Sequence, residues 1–128
     1  QTDNVKGTIP TKERAIELYK KAEEKAESFS DFYGLADSIA DTERVGDKEW
    51  AKKIYKKAEE KAKSSMDFCS LADGLCEIIN DKERAKKIYK KAEEKAENEY
   101  DFKNLSDSIR KNLGDEKWAK LLDQKANG

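Results

Sequence analysis

Apolar positions step along this chain by threes and fours, and two kinds of stripe alternate. One kind is Trp50, Ala51, Ile54, Tyr55, Ala58 and Ala62, a single helical face whose opposite side is Lys and Glu. The other is Phe32-x-x-Leu35-Ala36-x-x-Ile39, followed by Phe68-x-x-Leu71-Ala72-x-x-Leu75 and Phe102-x-x-Leu105-Ser106-x-x-Ile109. Both predict helices, and nothing between them has the period of a strand. The first kind belongs to a twelve-residue phrase, AKKIYKKAEEKA, at 51–62, which recurs unchanged at 85–96. A further copy, AIELYKKAEEKA at 15–26, matches at nine of twelve positions. Tyr55 and Tyr89 are 34 residues apart and Tyr19 and Tyr55 are 36 apart, a period that predicts stacked helical hairpins, each too small to bury its apolar face alone.

The boundaries repeat as well. Ile9-Pro10-Thr11, Val45-Gly46-Asp47, Ile79-Asn80-Asp81 and Leu113-Gly114-Asp115 each join an aliphatic residue, a turn residue and an N-cap. Thr or Asp accepts an unpaired amide proton of the first turn, and Gly or Asn suits the left-handed residue that ends a helix. Helices should therefore begin near 12, 48, 82 and 116. Ser28-x-x-Asp31, Ser64-x-x-Asp67 and Asn98-x-x-Asp101 read as capping boxes for three more, with Asp in the usual place of Glu. The expectation is all-α, about seven helices, an α/α superhelix of antiparallel hairpins. Two extra residues before Val45 account for the longer first period, and a cap every 16–18 residues argues against a continuous coiled coil. Residues 1–10 form a flexible leader in this reading, and 11–128 a repeat domain: a lone helix over 11–27, then units 28–63, 64–97 and 98–128.

Charged residues make up 43% of the chain and hydrophobic ones 36%, which a stack of hairpins tolerates better than one compact core. With 27 basic and 28 acidic residues the net charge is -1, so no general attraction to nucleic acid or acidic lipid is expected. No stretch is long and apolar enough for a membrane span, and a cytoplasmic setting is the default. Within each phrase the Lys pairs 52/53 and 56/57 precede Glu59 and Glu60, against the helix dipole, and nothing inside one helix accounts for that order. The Lys pairs are read as a solvated face neutralised by the Glu pairs. Trp50 and Trp118 alternate with Arg14 and Arg84 in one slot, which points to packing between helices.

The chain has no His, no Gly-rich phosphate loop and no nucleophile elbow, and no enzyme is expected. Cys69 and Cys76 share a helical face, but seven residues rise about 10.5 Å. That is too far for a disulfide, whose Cα atoms lie about 4.4–6.8 Å apart. Met66 and Asp73 beside them make too thin a ligand set for a metal, so neither metal nor cofactor is expected and the thiols should be free, partly buried and titratable.

The segment Gly46-Asp47-x-x-x-Ala51-x-x-x-Tyr55-x-x-Ala58 resembles the second helix of a tetratricopeptide repeat, and Phe-x-x-Leu-Ala resembles the first helix, with Phe for Trp and Ala for Gly. Ser28, Ser64 and Asn98 stand where the family usually closes its unit with proline. The resemblance covers about 11–127 and implies a right-handed superhelix that binds peptides in a groove lined by the first helices. Carried onto this sequence, the lining is Ser30, Tyr33, Asp37 and Asp41; then Met66, Cys69, Asp73, Cys76 and Glu77; then Tyr100, Lys103, Asp107, Arg110 and Lys111. The family's carboxylate clamp is not expected, because Asp37, Asp73 and Asp107 replace its Asn. Their repetition suggests instead a peptide or protein partner with basic residues at one end.

The alternative is a structural repeat scaffold, engineered or recently duplicated, with no dedicated ligand. The identical phrases favour it, while the groove residues, different in every unit, favour binding. Asp123 in the slot of Tyr55 and Tyr89 fits a capping repeat and a complete array, a monomer or, through Leu121 and Leu122, a weak homodimer.

Overall fold

A computed structural model describes residues 11–128; the flexible-leader expectation for 1–10 lies outside the described residues. These contain helices and turns and no strand. In chain order the helices are α1 (Thr11–Lys25), α2 (Phe29–Ala40), α3 (Lys48–Lys61), α4 (Ser65–Gly74, running into a π-helical turn, Leu75–Ile79), α5 (Lys82–Lys95), α6 (Glu99–Leu113) and α7 (Glu116–Asn127).

The caps act as the residue types dictate. Asp47, Asp81 and Asp115 accept the backbone N–H of Trp50, Arg84 and Trp118 at 3.0–3.1 Å. Gly46, Asn80 and Gly114 hold φ of 68°, 64° and 66°, the left-handed conformation that ends the preceding segment. Ser28 and Ser64 form full capping boxes with Asp31 and Asp67, so the shorter acid still reaches back to the cap backbone. Asn98 accepts from the Asp101 amide, while the Asp101 carboxylate takes the Glu97 N–H.

The two extra residues before Val45 appear as a turn over 42–45 after α2. There Asp41 accepts the Glu43 N–H at 2.9 Å, and the Asp47 N–H returns to the Ile39 carbonyl at 3.0 Å. The corresponding stretch after Gly74 is instead wound wide as the π-turn, sealed by Asp81 N–H on the Leu75 carbonyl at 2.8 Å.

The chain divides into two compact units, Gln1–Ala58 and Glu59–Gly128, with the boundary inside α3. In the first, α1 packs on α2. Its core is Phe32, Leu35, Ala36, Ile39 and Val45 with Ala51, Ile54, Tyr55 and Ala58, all buried. In the second, α4 pairs with α5 and α6 with α7, while α6 also packs on α4 and α5. Its core is drawn from Phe68, Leu71, Leu75, Ile79, Ile88, Tyr89, Leu105, Ile109 and Leu122. Each such large apolar side chain contributes roughly 1.5–3 kcal/mol by leaving water. Of the two C-terminal leucines, Leu122 is fully buried and only Leu121 is exposed.

Candidate functional site

Within the second unit, α4 and α6 run beside each other and carry most of the residues assigned to a groove. Met66 and Tyr100 are exposed, at 48% and 74%, among the few large apolar side chains left in water. Asn104, one turn after Tyr100, donates its side-chain N–H to Met66 Sδ at 3.6 Å, so Met66 reaches α6 one turn from Tyr100. Further along the two helices the charges pair across and along them. Glu77 meets Lys111 at 3.6 Å and Lys103 meets Asp107 at 3.5 Å. Arg110 shares its Nε–H between both Glu116 oxygens at 3.0 Å and donates through Nη2 to Asp123 at 2.9 Å.

Cys69 and Asp73 belong to a different environment, a polar network under the surface. Tyr89, fully buried on α5, donates its hydroxyl to Asp73 at 2.6 Å and accepts from the Asn112 side chain at 2.9 Å. Asn112 also donates to Asp73 at 3.1 Å and Ser108 does so at 3.2 Å. Cys69 closes the chain by donating to the Ser108 oxygen at 3.4 Å. Burial pushes the Asp73 carboxyl above its ordinary value despite these three donors, and the neighbouring Glu77 charge adds to the rise. The Cys69 thiol is pushed up to about 12, first by burial and then by the Asp73 charge. Cys76, inside the π-turn, is also raised by burial. Both thiols are free and buried, hence less accessible than the partly buried, titratable groups expected. Among the described residues no group of three or more His, Cys, Asp or Glu could hold a metal ion.

The first unit treats its aspartate alike. Tyr55 donates to Asp37, and its ring lies 5.9 Å from that of Tyr33, which stacks on Phe29 at 5.4 Å. Asp41 caps the end of α2 and lies 3.9 Å from Arg44. Thus Asp37 and Asp73 each receive a buried tyrosine hydroxyl. Asp107 does not: in the last hairpin the tyrosine slot is Asp123, which accepts from buried Ser106 at 2.6 Å.

A second constellation escaped the sequence reading. Glu23 accepts the Trp50 indole N–H at 3.1 Å on one oxygen and Lys57 at 2.5 Å on the other. Glu59 accepts Arg84 and Lys91, both at 2.5 Å. Glu93 accepts Trp118 at 3.1 Å and Lys125 at 2.7 Å. The same clamp recurs three times, a carboxylate late in one helix held by the first turn and the middle of the next helix of its kind. The Lys-before-Glu order therefore has part of its cause between helices: Lys57 and Lys91, the second residues of the 56/57 and 90/91 pairs, each serve the Glu of the preceding copy. The Lys57 hydrogen bond, helped by Trp50, holds Glu23 below its usual range. Burial raises Glu59, but Lys91 and Arg84 outweigh it and leave the carboxyl lowered. Recurrence of Glu opposite Trp/Arg and Lys columns was the available signal.

Compared with family models, curated proteins and solved structures, the chain matches none. Among the described residues no helix is long and apolar enough to cross a membrane.

Proposed function

We propose that the chain is a non-catalytic, tetratricopeptide-like repeat module whose α4–α6 face holds a peptide or partner helix. The observation that carries this reading is the exposed pair Met66 and Tyr100 on adjoining helices. Met66 and Tyr100 start an exposed strip that continues through Lys103 and Asp107 to Glu77 and Lys111, a mixture of apolar and charged groups suited to a binding surface. The repeat reading draws support from the Glu clamps at 23, 59 and 93 and from the shared Tyr-to-Asp bonds. Asp73 is engaged internally, so a basic residue of the ligand would meet Glu77 and Asp107, displacing Lys111 and Lys103 from exposed pairs worth about 0–1 kcal/mol each.

The second reading, a structural scaffold without a ligand, is favoured by one observation: the rim charges already neutralise one another within the chain. Panning a peptide library on wild type and on a Met66→Glu/Tyr100→Glu double variant separates the two. Both positions are exposed, so the variant keeps its fold. Enriched sequences that bind wild type and lose the variant support the groove; an unenriched library, or one indifferent to the double variant, supports the scaffold.

A further inference from the structure

Among the described residues nothing covers the outer face of α1, and its residues indicate what kind of element would fit it. Leu18 stands in the slot of Ile54 and Ile88, which are 0% and 1% exposed, yet Leu18 is 57% exposed. No residue of α1 is buried, whereas the equivalent positions of α3 and α5 bury Ala, Ile, Tyr and Ala. Beside Leu18 lies a depression of about 360 Å³ lined by Thr11, Arg14, Ala15, Leu18, Tyr19 and Arg44.

Within this chain, two such faces are filled, and by the same kind of element. On α5 the filler is α4, whose Asp73 takes the Tyr89 hydroxyl; on α3 it is α2, whose Asp37 takes that of Tyr55. On α1 the equivalent hydroxyl, Tyr19, only accepts from Arg44 at 3.2 Å and meets no carboxylate among the described residues. Arg14 and Lys21 occupy the columns of Arg84 and Lys91, which grip Glu59, and among the described residues neither pairs with a carboxylate. The face thus combines an apolar stripe, an unmatched tyrosine and two unmatched cations.

We infer that the α1 face formed by Ala15, Leu18 and Tyr19 is a docking site for an amphipathic helix of a separate partner protein, one that carries the Phe-x-x-Leu-Ala-Asp pattern of α2 and α4. The aspartate receives the Tyr19 hydroxyl, the apolar stripe covers Leu18, and the positive field of Arg14 and Lys21 favours an acidic helix. A second copy of this chain has no such helix to spare, since α2, α4 and α6 are each packed within their own units. At about 1.5 Å per residue, fifteen-residue α1 offers roughly 22 Å, enough for the whole stripe of a helix the length of α2.

The probe is a fluorescein-labelled synthetic peptide with the sequence of residues 28–41, added to the intact protein and followed by fluorescence anisotropy. The expected result is saturable one-to-one binding below about 1 mM. Leu18→Glu, at an exposed site where helix content by circular dichroism should be unchanged, abolishes it. Asn in place of the peptide's Asp37 weakens binding about tenfold, Tyr19→Phe does the same, and the two together cost no more than either alone. Met66→Glu leaves binding intact, so this site and the α4–α6 face fail independently. No saturation, or binding indifferent to Leu18→Glu because the peptide displaces α2, overturns the proposal. So does concentration-dependent self-association in sedimentation that Leu18→Glu abolishes, which would make the occupant a second copy.

Discussion

Replacing Glu59 by Gln tests whether the recurring carboxylate clamp holds the end of α3 on α5. Glu59 accepts Arg84 on one oxygen and Lys91 on the other, each at 2.5 Å, with its own side chain only 15% exposed. Arg84 and Lys91 are 37% and 49% exposed, so solvent screens both pairs and neither reaches the strength of a buried bridge. Hydrogen bonds to charged groups contribute about 1.5–3 kcal/mol and exposed pairs about 0.2–1 kcal/mol. Two shared bonds on a mostly covered carboxylate therefore place Glu59→Gln at about 1–2 kcal/mol, or roughly 3–8 °C in Tm for a chain of this size. Glu60→Gln, one residue on and exposed, should stay within about 0.5 kcal/mol.

The pH dependence has a definite sign. Glu59 is lowered in the folded state, so its contribution is present above the unfolded glutamate value of about 4.3 and is lost as pH falls through the folded one. Urea denaturation of wild type, Glu59→Gln and Glu60→Gln from pH 3 to pH 7 measures this. The Glu59 gap should open between the folded-state value and about pH 4.3, and stay open to pH 7. Equal stability of the two variants, or a gap that persists undiminished at pH 3, would refute the clamp.

Tyr89→Phe removes the hydroxyl that bridges Asp73 and Asn112 and should cost about 1.5–3 kcal/mol at neutral pH. Asp73 is raised, so its favourable contribution belongs to the protonated form and is lost as pH rises through the folded-state value. Losing a donor raises it further, and the Tyr89→Phe deficit should shrink on acidification; a deficit independent of pH would remove Asp73 from the explanation. Cys69 and Cys76 should resist a thiol-specific disulfide reagent in native buffer and react fully in denaturant; one thiol reacting natively at the rate of free cysteine contradicts their placement.

The caps were legible because they are local. Asp47, Asp81 and Asp115 sit within three residues of the amides they accept, and Gly46, Asn80 and Gly114 need only their own φ. Partners that depend on how far one helix is offset from another were not legible. Asp37 and Asp73 lie one position past the Phe/Leu/Ala stripe, which period alone reads as groove wall; only the placement of α3 and α5 shows a buried tyrosine donating to each. Glu23, Glu59 and Glu93 looked like half of a solvated face for the same reason. Cys69 and Cys76 were both assigned to the groove wall by α-helical spacing, yet both are buried, and the five residues Leu75–Ile79 carry too little pattern to announce the π-turn that holds Cys76. Met66 and Tyr100 stand off the repeated stripe, where an apolar residue has no packing slot to fill, and both are exposed.

The claim that α4 and α6 present a ligand surface is tested most directly by amide chemical-shift mapping. A Lys/Arg-rich peptide with one aromatic residue, and an Asp/Glu-rich counterpart, are titrated at low salt into isotopically labelled protein. The account predicts saturable shifts with the basic peptide, centred on Met66, Glu77, Tyr100 and Asp107 and absent from the Met66→Glu/Tyr100→Glu variant. Shifts confined to the Lys-rich faces of α3 and α5, or equal and unsaturable shifts with both peptides, would contradict it.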